Sequence, residues 1–464
     1  MMDIIAALST APGIGAIACV RISGNGCFKL LGKICGEHAI SKLINRQATL
    51  LRLHKVDRPD CFLDDALIIP YVGPNSYTGE DVVEIFCHGG NLISQTIISE
   101  LTTAGARISQ PGEFSYRAFL NNKLDLVQAE SINAMIHADT EATLSLSKSH
   151  YSGQFSRRIK ELRSEIVDIL SLLELELDFT EDDVELAERT SIENRISQVI
   201  QWLNETAKSY SAVQLIRGGL HVIIVGKPNV GKSSLLNTLI KRERAIVSSI
   251  PGTTRDYIQE EVQILGKKYV FCDTAGIHAT DDILEFEGIN RSTDRLKQSH
   301  IIFFMIDGSQ RLTKDDWEVR QSVFDLHEGD ASTRFLLVNK SDLSMSLTQQ
   351  ELESFATGFT IHQISCKTGY AFDQLIEGLD SVHEHLTQVS RLRNDVLVNT
   401  RQLHAIQSAQ TSFVSALDHY RENLSQEFVS SDLRAGVASL AELVGDIRGD
   451  EILGNVFSNF CIGK

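Results

Sequence analysis

The string GKPNVGKSS at 226–234 constrains this chain more than any other feature. It follows an apolar run at 222–225 and opens an amphipathic stretch at 234–240, so strand, glycine loop and helix succeed one another. Gly226 and Gly231 permit backbone conformations and close approaches that a Cβ forbids, which lets successive N–H groups converge on phosphate oxygens at a helix N-terminus. Asn229, Val230, Gly231 and Ser234 then line the loop, Lys232 neutralises the β and γ phosphates, and the Ser233 hydroxyl holds Mg2+.

Other strings follow in the order a guanine-nucleotide site needs. DTAG at 273–276 ends an apolar run, where Asp273 can reach Mg2+ through water and Gly276 can offer its N–H to the γ phosphate. NKSD at 339–342 supplies Asn339, Lys340 and Asp342. The Asp342 carboxylate accepts from the N1–H and N2–H2 of guanine, donors that adenine lacks, so the motif selects GTP over ATP. SCK at 365–367 places Ser365 and Lys367 over the base, and PGTTRD at 251–256 lies between the phosphate loop and DTAG. Strands at 222–225, 269–272, 301–306, 335–338 and 362–364 alternate with helical stretches, which predicts a parallel, doubly wound α/β sheet, and with the nucleotide strings at its strand ends the expected domain is a Ras-like P-loop GTPase. After DTAG stands Ile277, an apolar side chain unable to orient the attacking water. Arg255 is a candidate arginine finger, with a structural or substrate role as the alternative, so transition-state charge must come from another cation.

At 464 residues the chain is long enough for about three domains. The expected division is an α+β domain at 1–121, a discontinuous helical domain at 122–216 and 385–464, and the GTPase domain at 217–384 inserted into it. Strand-like runs at 16–22, 66–72 and 82–86 and a helix at 92–104 mark the first. Ile166, Ile169, Leu170, Leu173 and Leu177 recur on one helix face, and the acidic run at 174–188 reads as a solvated helix end. Lys plus Arg number 44 against 61 Asp plus Glu, a net charge of −17, which excludes a globally basic nucleic-acid coat but not a local basic patch. Eight scattered cysteines without a CxxC pair point to a reducing cytoplasm. The apolar N-terminal stretch has no preceding Lys or Arg and is broken by Pro12, Gly13 and Gly15, and no run approaches ~18 apolar residues, so neither a signal peptide nor a membrane span is expected.

The nucleotide strings resemble translation-factor-type G domains, which implies that Thr254 completes the Mg2+ shell as a switch residue. Outside them, YTGEDVVEIFCHGG at 77–90, PGEFSYRAFLNNKLDL at 111–126 and the final FSNFCIGK at 457–464 resemble the tRNA uridine-modification GTPases of the MnmE or TrmE family. That resemblance spans the chain. It implies paired G domains holding K+ on Asn229, Ser248, the Ile250 carbonyl and Thr253, oxygen ligands that suit a hard cation. It implies that Glu285 orients the hydrolytic water, where an exposed helix-start carboxylate is the plainer reading. It further implies a 5-formyl- or 5,10-methylene-tetrahydrofolate on Arg21, Glu84, Lys123 and Lys464, residues that surface salt bridging would also explain. Cys461 becomes the reactive thiol, its thiolate favoured by Lys464, or else a small apolar filler; the other seven cysteines and His88 read as structural. A homodimer through the N-terminal domain, a partner MnmG or GidA carrying FAD and NADH in a heterotetramer, and tRNA complete the implied assembly. Its product is an aminomethyl or carboxymethylaminomethyl group at C5 of the wobble uridine, with nitrogen from glycine or ammonium. Ile14, Ala16 and His278 depart from the family pattern. A ribosome-assembly GTPase without modification chemistry is the alternative.

Overall fold

The computed structural model describes residues 3–178, 189–242, 259–273, 299–326, 333–387, 398–446, 456–458, 460 and 463. Contacts divide the chain into two units, one of Met1–His137, Ser147–Asn204 and Thr400–Lys464, the other of Ala138–Leu146 and Glu205–Asn399.

In the first unit β1 (Ile5–Leu8), β2 (Ile17–Ser23), β3 (Thr49–His54), β4 (Phe62–Tyr71), β5 (Val82–His88) and β6 (Arg107–Ile108) form one sheet in the order β3-β4-β5-β2-β1-β6. Neighbours run antiparallel except β1 with β6. Side chains alternate between faces, so Val20, Ile22, Val83, Ile85, Ala66 and Ile68 are buried together with Leu31 of helix Cys27–Cys35 and Ile97 and Leu101 of helix Asn91–Ala104. Of these strands the sequence announced β2, β4 and β5. Of the others, β6 has two residues and β1 four, lengths at which periodicity decides nothing; β3 has six, but in TLLRLH the apolar Leu50 lies on the exposed face beside Leu51 and Leu53, which blurs the alternation. Helix Gln154–Asp178 buries Ile166, Ile169, Leu170 and Leu173, as their spacing required. Helix Gln426–Val444 packs against it and against Thr400–Arg421.

Arg117, in helix Glu113–Leu120, explains why two of the family-type strings occur together. Its side chain is 3% exposed and bonds Asp3 at 2.8 Å, Glu113 at 3.0 Å and Glu80 at 3.2 Å. Beside it, the Asn121 amide donates to the Thr78 carbonyl at 2.7 Å, and the Tyr77 and Ser115 hydroxyls meet at 2.8 Å. The 77–81 loop is thus fastened to the helix that follows it in sequence by some 30 residues. Arg117→Met takes the cation from Glu80, while Asp3 and Glu113 each keep Arg107 at 2.6 Å, so the loss is that of one buried pair, about 3 kcal/mol. A urea melt of the full chain should therefore lose stability on that scale in the transition of the first unit; an unchanged midpoint would show the network to be dispensable.

In the second unit β7 (Leu220–Val225), β8 (Gln259–Ile264), β9 (Lys267–Asp273), β10 (Ile301–Asp307), β11 (Arg334–Asn339) and β12 (Thr360–Gln363) lie in the order β12-β11-β10-β7-β9-β8. All neighbours are parallel except the β8–β9 hairpin. Val222 and Ile224 of β7 face one core with Leu235, Leu239, Phe372 and Leu379, while Ile223 and Val225 face another with Val323, Leu352 and Phe355. Burial on both faces is why β7, β10 and β11 read as near-continuous apolar runs, whereas β8 and β12, at the sheet's two edges, do not.

Candidate functional site

The phosphate loop leaves the C-terminal end of β7 and enters helix Lys232–Arg242. Both of its outer glycines are obligatory. Gly231 has φ +108° and a Cβ there would stand 2.3 Å from Asn339 Nδ2; one on Gly226, φ +144°, would stand 2.2 Å from the Met305 carbonyl oxygen. Asn229 is exposed with φ +65°, Val230 is buried, and Ser233 and Ser234 are exposed in the first helical turn. Lys232 Nζ donates to the carbonyls of Gly226 and Lys227, each at 2.8 Å, so its ammonium is folded over the loop.

Asn339, 3% exposed, ties the loop to the NKSD and SCK strings: its Nδ2 donates to the Val230 carbonyl at 2.8 Å and its Oδ1 accepts from the Cys366 N–H at 3.0 Å. The Ser365 hydroxyl donates to Asp342 Oδ1 at 2.7 Å. That bond holds the exposed Asp342 carboxyl below the usual range, so it stays an acceptor pair for two donors. Lys367, two residues after Ser365, is exposed. Lys340, with φ +64°, donates from Nζ to Asp307 Oδ2 at 2.6 Å. Burial alone would raise the Asp307 carboxyl, but the Lys340 ammonium and the Ser309 hydroxyl and N–H hold it below its ordinary value. Asp307 was not read from the sequence; an acid ending the apolar run FFMID was the available signal.

In the first unit, register places Arg21 on β2 opposite Glu84 on β5. Arg21 Nη2 and Nε donate to Glu84 Oε1 at 2.8 and 3.1 Å, with both side chains mostly buried. The Tyr71 hydroxyl donates to the other Glu84 oxygen at 3.3 Å. The guanidinium lies 5.2 Å from the Tyr77 ring centre and 5.6 Å from that of Phe114. The tail closes on the same arginine. The Gly463 carbonyl accepts from Arg21 Nη1 at 3.3 Å and from the Ser9 hydroxyl at 3.1 Å. Lys123 is exposed, and its stem lies against Gly79 in the loop that carries Tyr77. His88 donates its N–H to Asp64 Oδ2 at 2.8 Å and its ring Nδ1 meets Asp64 Oδ1 at 2.7 Å.

A family model described as the MnmE helical domain matches residues 126–461, and one described as the GTP-binding protein TrmE N-terminus matches residues 4–123. A tRNA modification GTPase MnmE from Flavobacterium psychrophilum is 37% identical over 470 aligned positions, covering 100% of this chain and 99% of the relative. The chain belongs to the MnmE family of tRNA modification GTPases. Members from Syntrophus aciditrophicus and Fervidobacterium nodosum are each 36% identical to it over 100% of this chain, and over 100% and 98% of their own lengths.

Several residues singled out in the sequence, Ser248, Ile250, Thr253, Thr254, Arg255, Gly276, Ile277, Glu285, Cys461 and Lys464, lie outside the described residues. Asp273 ends β9. The seven described cysteines are free, and burial pushes the thiols of Cys19 and Cys366 up to about 12 and that of Cys87 to about 11. Such thiols are poor nucleophiles at neutral pH. Among the described residues no helix is long and apolar enough to cross a membrane.

Proposed function

We propose that this chain hydrolyses GTP to drive modification of the wobble uridine of tRNA at C5, acting in the cytoplasm as a homodimer with a flavoprotein partner of the MnmG or GidA type that holds FAD and NADH. In this reading 217–384 is the inserted G domain, 122–216 with 385–464 the helical domain, and 1–121 the dimerisation and folate domain. The loop glycines leave a cradle that a Cβ would fill, which suits phosphate. Lys232 would lie against the β and γ phosphates, Asp342 against guanine, and Ser233 and Thr254 would hold Mg2+. Asn229, Ser248, Ile250 and Thr253 would hold K+, whose charge would take the place of an arginine finger, and Glu285 would orient the water.

The observation that carries the modification half of the reading is the junction of Arg21, Glu84 and Gly463. A carboxylate backed by a guanidinium suits the amino edge of a pterin, and Gly463 brings with it the end of the chain, where Cys461 and Lys464 would meet the one-carbon carrier. Titrating 5-formyl-tetrahydrofolate onto the full chain should give saturable binding, weakened at least about tenfold by Glu84→Gln, since one charge-assisted contact is worth that much. Absence of binding would move the chain toward the ribosome-assembly reading, which has no use for this junction.

A further inference from the structure

A buried carboxylate is tied to the phosphate loop by an ion pair. Asp316, in the first turn of helix Lys314–Leu326, is 6% exposed and accepts from the Thr313 N–H at 2.8 Å and the Thr313 hydroxyl at 3.0 Å. Its Oδ2 also takes the Lys227 ammonium at 2.6 Å, and that ammonium meets the Thr313 hydroxyl as well. Lys227 is the second residue of the loop, and its own carbonyl is one of the two that receive Lys232 Nζ. A chain of contacts therefore runs from the helix through the Lys227 side chain and backbone to the lysine that faces phosphate. The far end of the loop is fixed separately, by Asn339 on the Val230 carbonyl.

We propose that Asp316 and Lys227 are positioning residues for GTP hydrolysis: the pair fixes the loop carbonyl on which Lys232 rests, and so sets where that ammonium meets the nucleotide. The inference rests on Lys232 being the phosphate lysine. A carboxylate with three donors, buried at the start of a helix, holds its geometry far better than an exposed ion pair, because little water competes for it. A loop released from it must be ordered anew by each nucleotide, at a cost to binding in ground state and transition state alike.

Asp316→Asn and Asp316→Glu in the full chain separate this role from two simpler ones. Positioning predicts that both raise KM for GTP about tenfold while kcat stays within about twofold, the signature of lost uniform binding. A pure field effect predicts the reverse for Asp316→Asn, since deleting a negative charge beside the loop tightens binding of a polyanion, and no change for Asp316→Glu. A merely structural role lowers the folded fraction, so the apparent maximal rate falls at unchanged KM. Lys227→Arg, whose guanidinium still reaches the carboxylate, should keep KM within about twofold. Should Asp316→Asn fail to fold, Asp316→Glu carries the test, because it keeps the charge. A KM that is unchanged or lowered in the folded variants overturns the proposal. Lys232→Ala is the control for its premise: nucleotide binding that survives this change overturns the reading of the phosphate lysine itself.

Discussion

Asp342→Asn is expected to lower affinity for GTP by about 100-fold or more and to create affinity for xanthosine triphosphate. In the proposed site the carboxylate accepts from two guanine donors at once; an asparagine amide offers one acceptor and turns an NH2 toward the other donor, so two donors face each other where a bond had been. Xanthine carries a carbonyl at that edge and accepts from the new amide. The Ser365 hydroxyl, which donates to Asp342 Oδ1, can donate equally to the asparagine oxygen, so the loop itself should survive. Competition of GTP and xanthosine triphosphate against a fluorescent guanosine diphosphate, in wild type and variant, reads the switch directly. If the variant binds GTP as well as the wild type does, Asp342 does not read the base.

Gly463→Ala should abolish tRNA modification while leaving GTP hydrolysis within about twofold of wild type. Gly463 has φ +90°, and a Cβ there would lie 2.2 Å from the Leu8 carbonyl oxygen, 2.8 Å from its carbon and 2.9 Å from Ser9 Cα. All three are backbone atoms of β1 and the residue after it, so no side chain can swing away. The tail must lift, and the bonds from Ser9 and Arg21 to the Gly463 carbonyl break with it. Displacing a reactive group by ~1 Å costs about 100-fold in rate, and relieving a 2.2 Å approach to backbone takes a shift of about that size. Phe457 and Phe460 keep their places beside Phe119 and Leu126, so the fold should persist. The phosphate loop belongs to the other unit. Mass spectrometry of tRNA nucleosides from cells relying on the variant, alongside its GTPase rate, gives both readouts; normally modified tRNA would detach the tail from the chemistry.

The phosphate loop was legible because everything that makes it is contiguous. Strand, glycines, lysine and helix fall within some 20 residues, and the glycines are demanded by backbone geometry that no partner elsewhere can supply. Asp342 and Asn339 were legible for a related reason, since a short string at the end of a buried strand has one direction in which to point. Asp307 and Asp316 were not. Each is a single acid among 61 Asp and Glu, and its importance rests on a lysine that the chain places beside it from 33 or 89 positions away.

The N-terminal unit shows the same boundary. The sequence by itself marked β2, β4 and β5 as strands through their β-branched and apolar runs. It could not announce that Arg117 would join Glu80, Glu113 and Asp3, or that Gly463 would return to Ser9 across 454 residues. Local propensity decides an element when its determinants are neighbours in the chain. Pairing across a sheet, a buried ion and the seating of a tail depend on loop closure over long separations, and only the packed tertiary structure decides which of the many available partners is met.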